Sequence, residues 1–241
     1  MIKSLLFISI APVLIIALYI YIRDKYEKEP FICLLKALLS GILIVFPIVV
    51  LEKVLYSFFS GNSEIVRAAY NAFIVASFSE EGFKYLAFMI LFWSNSNFNE
   101  KFDGIVYAVF ISMGFAAIEN ILYVHRGGYD VGYLRAITAV PAHALFGTVM
   151  GYHLGIARFY PERRINQLVL AFSMPFIWHG VYDFLLMGQR PVLLVIFIPV
   201  LIYFWLNGFH KLKLLSRSSI YRDDRFFGKR GPDNTPGGLV T

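Results

Sequence analysis

The sequence predicts an all-α fold: a polytopic membrane bundle of about seven transmembrane helices, with the N-terminus outside and the C-terminus cytoplasmic. Three observations predict it. Hydrophobic residues make up 58% of the 241-residue chain and charged residues only 16%, where a soluble domain carries about 25% charge. Mean hydropathy is +0.64, and apolar runs long enough to span a bilayer recur from one end to the other. Lys and Arg are unevenly shared between alternate loops, which sets orientation.

The spans are expected at 3–22, 31–52, 67–93, 104–125, 134–158, 166–187 and 191–212. The first runs into Arg23-Asp24-Lys25 with no small-residue cleavage site and reads as a retained helix, not a signal peptide. The second and third are bounded by 53–66, a stretch able to extend either helix or to lie in the interface. Of the Lys and Arg in the loops and at the span ends, 14 fall at 23–28, at 101, at 158–164 and from 211 onward, against five on the other side at Lys3, Arg67, Arg126, Arg135 and Arg190. The richer side is cytoplasmic. Topology and anionic lipid therefore explain the net charge of +6 better than nucleic acid does. Residues 1–215 form one integral-membrane domain, and 216–241 form a basic cytoplasmic tail rich in Gly, Pro, Ser and Arg that is expected to be disordered. Cys33 is the only cysteine, which excludes an internal disulfide.

Polar residues inside these spans mark the function, because a charge at the bilayer centre costs about 2.5–3.5 kcal/mol on insertion scales. The third span carries Glu80, Glu81 and Lys84. Lys84 follows the two glutamates by four and three residues, so one ammonium reaches either carboxylate on the helix surface. Gly82 beside them is expected to admit a close neighbour. A structural ion pair is the competing explanation, but a doublet exceeds what one pair needs. The fourth span carries Glu119-Asn120, with Ser112, Ala116, Glu119 and Tyr123 on one face. Asn120 is equally suited to bonding a neighbouring helix.

The fifth span holds His143 at the head of the stripe Gly147, Gly151, Gly155, a close-packing face that turns His143 into the bundle. Pro141, two residues earlier, is expected to leave a carbonyl one turn before it without its usual partner. His153 lies on another face, nearer the cytoplasmic end, and reads as an interfacial or hydrogen-bonding histidine. The sixth span contains His179 and Asp183 at a spacing of four, so the carboxylate stands where it could orient the imidazole. His125 and His210, near helix ends, look interfacial. Counting about 1.5 Å per residue from the outer ends, Glu119, His179, His143 and Glu80 lie roughly 9 to 20 Å deep. Four helices therefore converge on one polar pocket in the outer half of the bilayer.

Carboxylates and histidines in an apolar site suit hydrolysis: a glutamate takes a proton from water while histidine or a metal stabilises the oxyanion. Two histidines with carboxylates could also hold Zn²⁺ with an open position; His143, His179 and Glu119 are the candidate ligands. No His-Glu-x-x-His or Gly-x-Ser-x-Gly occurs, so neither common soluble-hydrolase signature applies. A proton-coupled transporter or channel using the same buried cluster is the alternative, although no internal repeat supports it.

Glu80-Glu81-x-x-Lys84, Phe115-x-x-x-Glu119-Asn120, His143 in its Pro-x-His-Ala setting and His179-x-x-x-Asp183 together resemble the successive motifs of the PrsW family of intramembrane proteases. That family is similar in motif layout to the CAAX-protease and bacteriocin-processing (CPBP) membrane proteases. The resemblance covers about residues 25–190, in order and on separate helices. It implies an endopeptidase making the first cut, near the outer membrane face, in a single-pass anti-sigma factor, with a sigma factor released in a stress response. The family's paired glutamates then correspond to Glu80 and Glu81 and its later histidines to His143 and His179. Where the CPBP relatives have a histidine in the second motif this chain has Glu119, and their final Asn is Asp183 here; both departures bear on metal ligation against glutamate-activated water. On this reading Glu80, Glu81, Glu119, His143 and His179 are catalytic, with Lys84, Asn120 and Asp183 in support.

Overall fold

The computed structural model describes residues 2–219, and among them every regular element is helical. The helices are α1 (Ile2–Arg23), α2 (Phe31–Ser57), α3 (Glu64–Tyr70), α4 (Phe78–Leu91), α5 (Lys101–Ile137), α6 (Ala139–Phe159), α7 (Arg164–Met187) and α8 (Pro191–Arg217). A π-helical stretch, Asn71–Ser77, joins α3 to α4. The chain from 220 onward, where most of the expected tail falls, lies outside the described residues.

Five helical stretches among the described residues are long and apolar enough to cross a membrane: Ser4–Arg23, Phe31–Ser57, Lys101–Phe159, Pro161–Met187 and Pro191–Arg217. Lys101–Phe159 spans 59 residues and contains both α5 and α6. The region of α3 and α4 is not among the five; its Glu80, Glu81 and Lys84 dilute its apolar character.

The centre of the bundle is α5, which packs against α6, α2 and α1. From Phe102 to Ala116 each of its residues is buried, whereas Leu6, Phe7, Leu14, Ile15 and Leu18 of α1 and Val192, Val195, Ile198 and Leu206 of α8 are exposed. Large apolar side chains facing outward are what a lipid solvent requires and water would penalise. Small residues bring the central helices together. A Cβ on Gly151 would overlap the Gly104 carbonyl of α5, and one on Gly114 would overlap the Leu38 carbonyl of α2. The stripe expected on the His143 helix is thus the α5–α6 seam. Gly151→Val is expected to destabilise the bundle by roughly 3 kcal/mol or more, since backbone and not a mobile side chain must move; the midpoint of thermal unfolding in detergent measures it.

Three details differ from the sequence expectation. The fourth span continues past 125, because α5 turns at Gly128 (φ 73°, ψ −158°) and resumes helical geometry to Ile137. Helix α6 therefore begins at Ala139, not 134. This places Pro141 in its first turn, where no backbone donor is needed, so the expected loss of an internal bond does not arise. Gly82 makes no unusually close approach: a Cβ there would sit 3.8 Å from the Phe172 ring, an ordinary contact. His153 takes the hydrogen-bonding alternative expected of it: it is buried, with Nδ1 2.7 Å from Gln167 Oε1.

Candidate active site

The polar residues singled out above come together around a cavity of about 710 Å³. Helix α4 delivers the glutamate doublet directly after the π-helical stretch. An extra residue in a helical turn re-phases every side chain that follows, and such turns gather at functional sites. Ser77 anchors this stretch to α7 by donating to the Phe176 carbonyl at 2.5 Å, and Gly180 makes room there for the Phe73 ring.

Glu80 lines the cavity; Glu81 and Lys84, with no exposed surface, stand behind it. Lys84 Nζ donates to Glu81 Oε1 at 2.9 Å and to Glu80 Oε2 at 3.3 Å. It lies 3.3 Å from His143 Nδ1 and 4.2 Å above the Phe115 ring. His179 Nδ1 is 3.0 Å from Glu81 Oε1 and 3.9 Å from Glu80 Oε2.

The two histidines are presented alike. Each turns Nε2 towards an outer carboxylate, His143 to Glu119 Oε2 at 2.8 Å and His179 to Asp183 Oδ2 at 3.3 Å, while Nδ1 meets Lys84 in His143 and the doublet in His179. A proton on Nε2 satisfies both outer carboxylates; the His143 Nδ1 lone pair then accepts from Lys84, whereas His179 Nδ1 and Glu81 Oε1 need a proton or a cation between them. The rings lie 5.3 Å apart at right angles; Phe146 stacks on His179 at 5.0 Å and Phe115 meets His143 edge-on at 5.5 Å.

Glu119 is held in turn by Arg135, whose Nη2 donates to its Oε2 at 2.7 Å and whose Nε donates to Asn120 Oδ1 at 2.9 Å. Asn120 Nδ2 donates to the Ser9 carbonyl at 2.8 Å, tying α5 to α1. All eight residues predicted from the sequence therefore belong to one connected cluster, Asn120 at its edge. Two residues were missed. Arg135, read only as a loop charge, is brought over Glu119 by the turn at Gly128. Glu52 lines the cavity from α2; lying beside Lys53 at an expected helix end, it carried no signal that set it apart.

The donor set suits a divalent metal. One oxygen each of Glu80 and Glu81 and one nitrogen each of His143 and His179 lie within 4.8 Å of one another, all four side chains buried. Glu81 Oε2 is buried with no hydrogen-bond partner. Among the described residues, Lys84 pairs with Glu80 and Glu81, Arg135 with Glu119, and Asp183 with His179; with neutral histidines these four carboxylates outnumber their two paired cations, an excess that a dication offsets. Mixed carboxylate and imidazole donors backed by outer carboxylates are characteristic of zinc sites. Glu119 stands outside this group of four, as the partner of His143.

The model of the "PrsW family intramembrane metalloprotease" matches residues 29–206. The chain belongs to the PrsW family. A protein called Protease PrsW from Oceanobacillus iheyensis is 37% identical over 217 residues, covering 90% of this chain and 98% of that one. Those of Clostridioides difficile and Bacillus subtilis are 36% and 34% identical, over 87% and 85% of this chain and 90% and 92% of theirs. No solved structure matches. As a PrsW family member the protein is an intramembrane protease with a protein substrate, held in the membrane by several helices; the transporter reading is left without support.

Proposed function

We propose that this PrsW family member cuts a single-pass membrane protein, an anti-sigma factor, near the outer membrane face as the first step of a signalling cascade. The observation that carries the reading is the convergence of Glu80, Glu81, His143 and His179 at the wall of one cavity. The reading takes seven crossings, with α3 and α4 together making the third and α5 and α6 one each. The distribution of Lys and Arg then puts the N-terminus outside, the α2–α3 and α5–α6 connections on the outer face, and the cavity, lined by Glu52, Leu134 and Gln189, in the outer half of the bilayer. The basic inner surface faces anionic lipid.

Glu80, at the cavity wall, accepts a proton from the attacking water and returns it to the leaving amine. Glu81, His143 and His179, with Glu80, are the side chains that would hold a metal, and zinc is the ion proposed. When bound it would supply Lewis-acid polarisation of the scissile carbonyl and of water. Lys84 compensates the charge of the doublet, while Glu119 and Asp183 keep the two imidazoles turned inward. One observation favours a second reading: Lys84 Nζ already contacts three of the four donors. Glu80 would then activate water without a metal, and His143 and His179 would stabilise the oxyanion.

Metal analysis of the purified protein separates the two. The first reading predicts about one zinc per chain, lost in His143→Ala/His179→Ala, and cleavage abolished by a chelator and restored by Zn²⁺. Cleavage at full rate in a metal-free preparation would establish the second.

A further inference from the structure

A second cluster of carboxylates lies at the far end of α5 from Glu119, where the α1–α2 connection meets the start of that helix. Carboxylate oxygens of Glu27, Glu29 and Asp103 lie within 4.8 Å of one another; Glu29 and Asp103 are 3% and 0% exposed, and neighbouring Asp24 is 1% exposed. Each of these side chains, and Asn99 beside them, has one polar atom fixed by the protein. Asp103 Oδ2 accepts from the Asn99 and Glu100 backbone at 2.9 and 2.7 Å. The Tyr107 hydroxyl donates to Glu29 Oε2, Asn99 Nδ2 donates to Glu27 Oε1 at 3.0 Å, and the Glu29 backbone donates to Asp24 Oδ2 at 3.3 Å.

The remaining oxygens meet no N–H or hydroxyl of the protein, Glu29 and Asp103 reaching only each other. Asp24 Oδ1, Glu27 Oε2, Glu29 Oε1, Asn99 Oδ1 and Asp103 Oδ1 are all buried with no N–H or hydroxyl donor. Among the described residues no ion pair involves these carboxylates; the nearby Lys28 ammonium is turned to the Tyr21 carbonyl and ring. Buried oxygens left unsatisfied are costly, and the convergence of Glu27, Glu29 and Asp103 within 4.8 Å calls for a shared positive partner.

We propose that this cluster is a second metal site, in which a hard divalent cation, Mg²⁺ or Ca²⁺, is bound by Glu27, Glu29 and Asp103, with Asp24 and Asn99 contributing their remaining oxygens. An all-oxygen donor set selects such ions over zinc. The site shares no residue with the peptidase cavity. Its ligands come from the α1–α2 connection, the segment before α5 and α5 itself, so the cation clasps the connection onto the central helix.

Hydrogen–deuterium exchange of the full chain in detergent, after chelator treatment, reads the site locally. Addition of Mg²⁺ or Ca²⁺ is expected to slow exchange in segments 24–30 and 99–104, the two ions in separate arms. Mn²⁺ titration followed by electron paramagnetic resonance is expected to show an ion displaced by Mg²⁺ or Ca²⁺, and bound at least 100-fold more weakly in Glu29→Gln/Asp103→Asn. A carboxyl pair that merely shares a proton predicts no ion-dependent protection in either segment, and that outcome overturns the proposal. Unchanged Mn²⁺ affinity in the double variant overturns it equally, and thermal unfolding of that variant verifies that it is folded.

Discussion

Glu80→Gln is expected to lower the rate of substrate cleavage by about 10²–10⁴-fold, the contribution typical of a general base, while leaving the fold in place. The reasoning is local. Glu80 is the member of the doublet that lines the cavity, and glutamine keeps its volume and an oxygen able to accept from Lys84. Glu81→Gln is a different experiment. Glu81 has no exposed surface and is bound by Lys84 and His179 at 2.9 and 3.0 Å, so its neutralisation should abolish cleavage and also cost about 3–5 kcal/mol of stability, the range for breaking a buried ion pair. Cleavage rates in liposomes and unfolding midpoints in detergent check the pair of variants together. A Glu80→Gln protein that keeps more than a tenth of the wild-type rate contradicts the assignment of the base.

Lys84→Met is expected to destabilise the protein by about 3–5 kcal/mol, because two adjacent buried carboxylates would lose their shared cation. The surrounding apolar packing, with Phe115 4.2 Å below the ammonium, offers no substitute. Methionine retains most of the side chain's volume, so a cavity does not explain the loss. Adding Glu80→Gln and Glu81→Gln to Lys84→Met should recover much of the stability, since the loss comes from uncompensated charge; the non-additivity is the signature of direct coupling. Unfolding midpoints of the single and triple variants supply the numbers. A Lys84→Met protein as stable as wild type would mean that the doublet's charge is balanced elsewhere.

Much of this arrangement is legible in the sequence because a bilayer simplifies the rules. Apolar runs had to be helices, so their centres were plain, and any charge within them had to face protein. Spacing within one helix was equally informative: Lys84 reaching both glutamates, His179 sharing a face with Asp183, and the glycine stripe below His143 all follow from a period of 3.6 residues. Contacts between helices were not legible. That Glu81 meets His179, 98 residues away, or that Arg135 covers Glu119, depends on rotations about helix axes that no local pattern encodes. The π-helical turn before Glu80 left no mark in the apolar pattern either. The turn at Gly128 looked like an ordinary loop, so the helical segment carrying Arg135 passed unnoticed. Glu52 was hidden by its place at an expected helix end, where a charge needs no explanation.

The central claim, that the four converging side chains cut a membrane-embedded protein on its outer side, is tested most directly by mapping the new termini of a labelled single-pass protein. Purified enzyme and that protein would be reconstituted together in liposomes, and the products identified by mass spectrometry for the wild type and for Glu80→Gln. The account predicts one principal cut within a few residues of the outer end of the substrate helix, absent with Glu80→Gln. Cleavage at the cytoplasmic end, or the same cut made by both proteins, would contradict it.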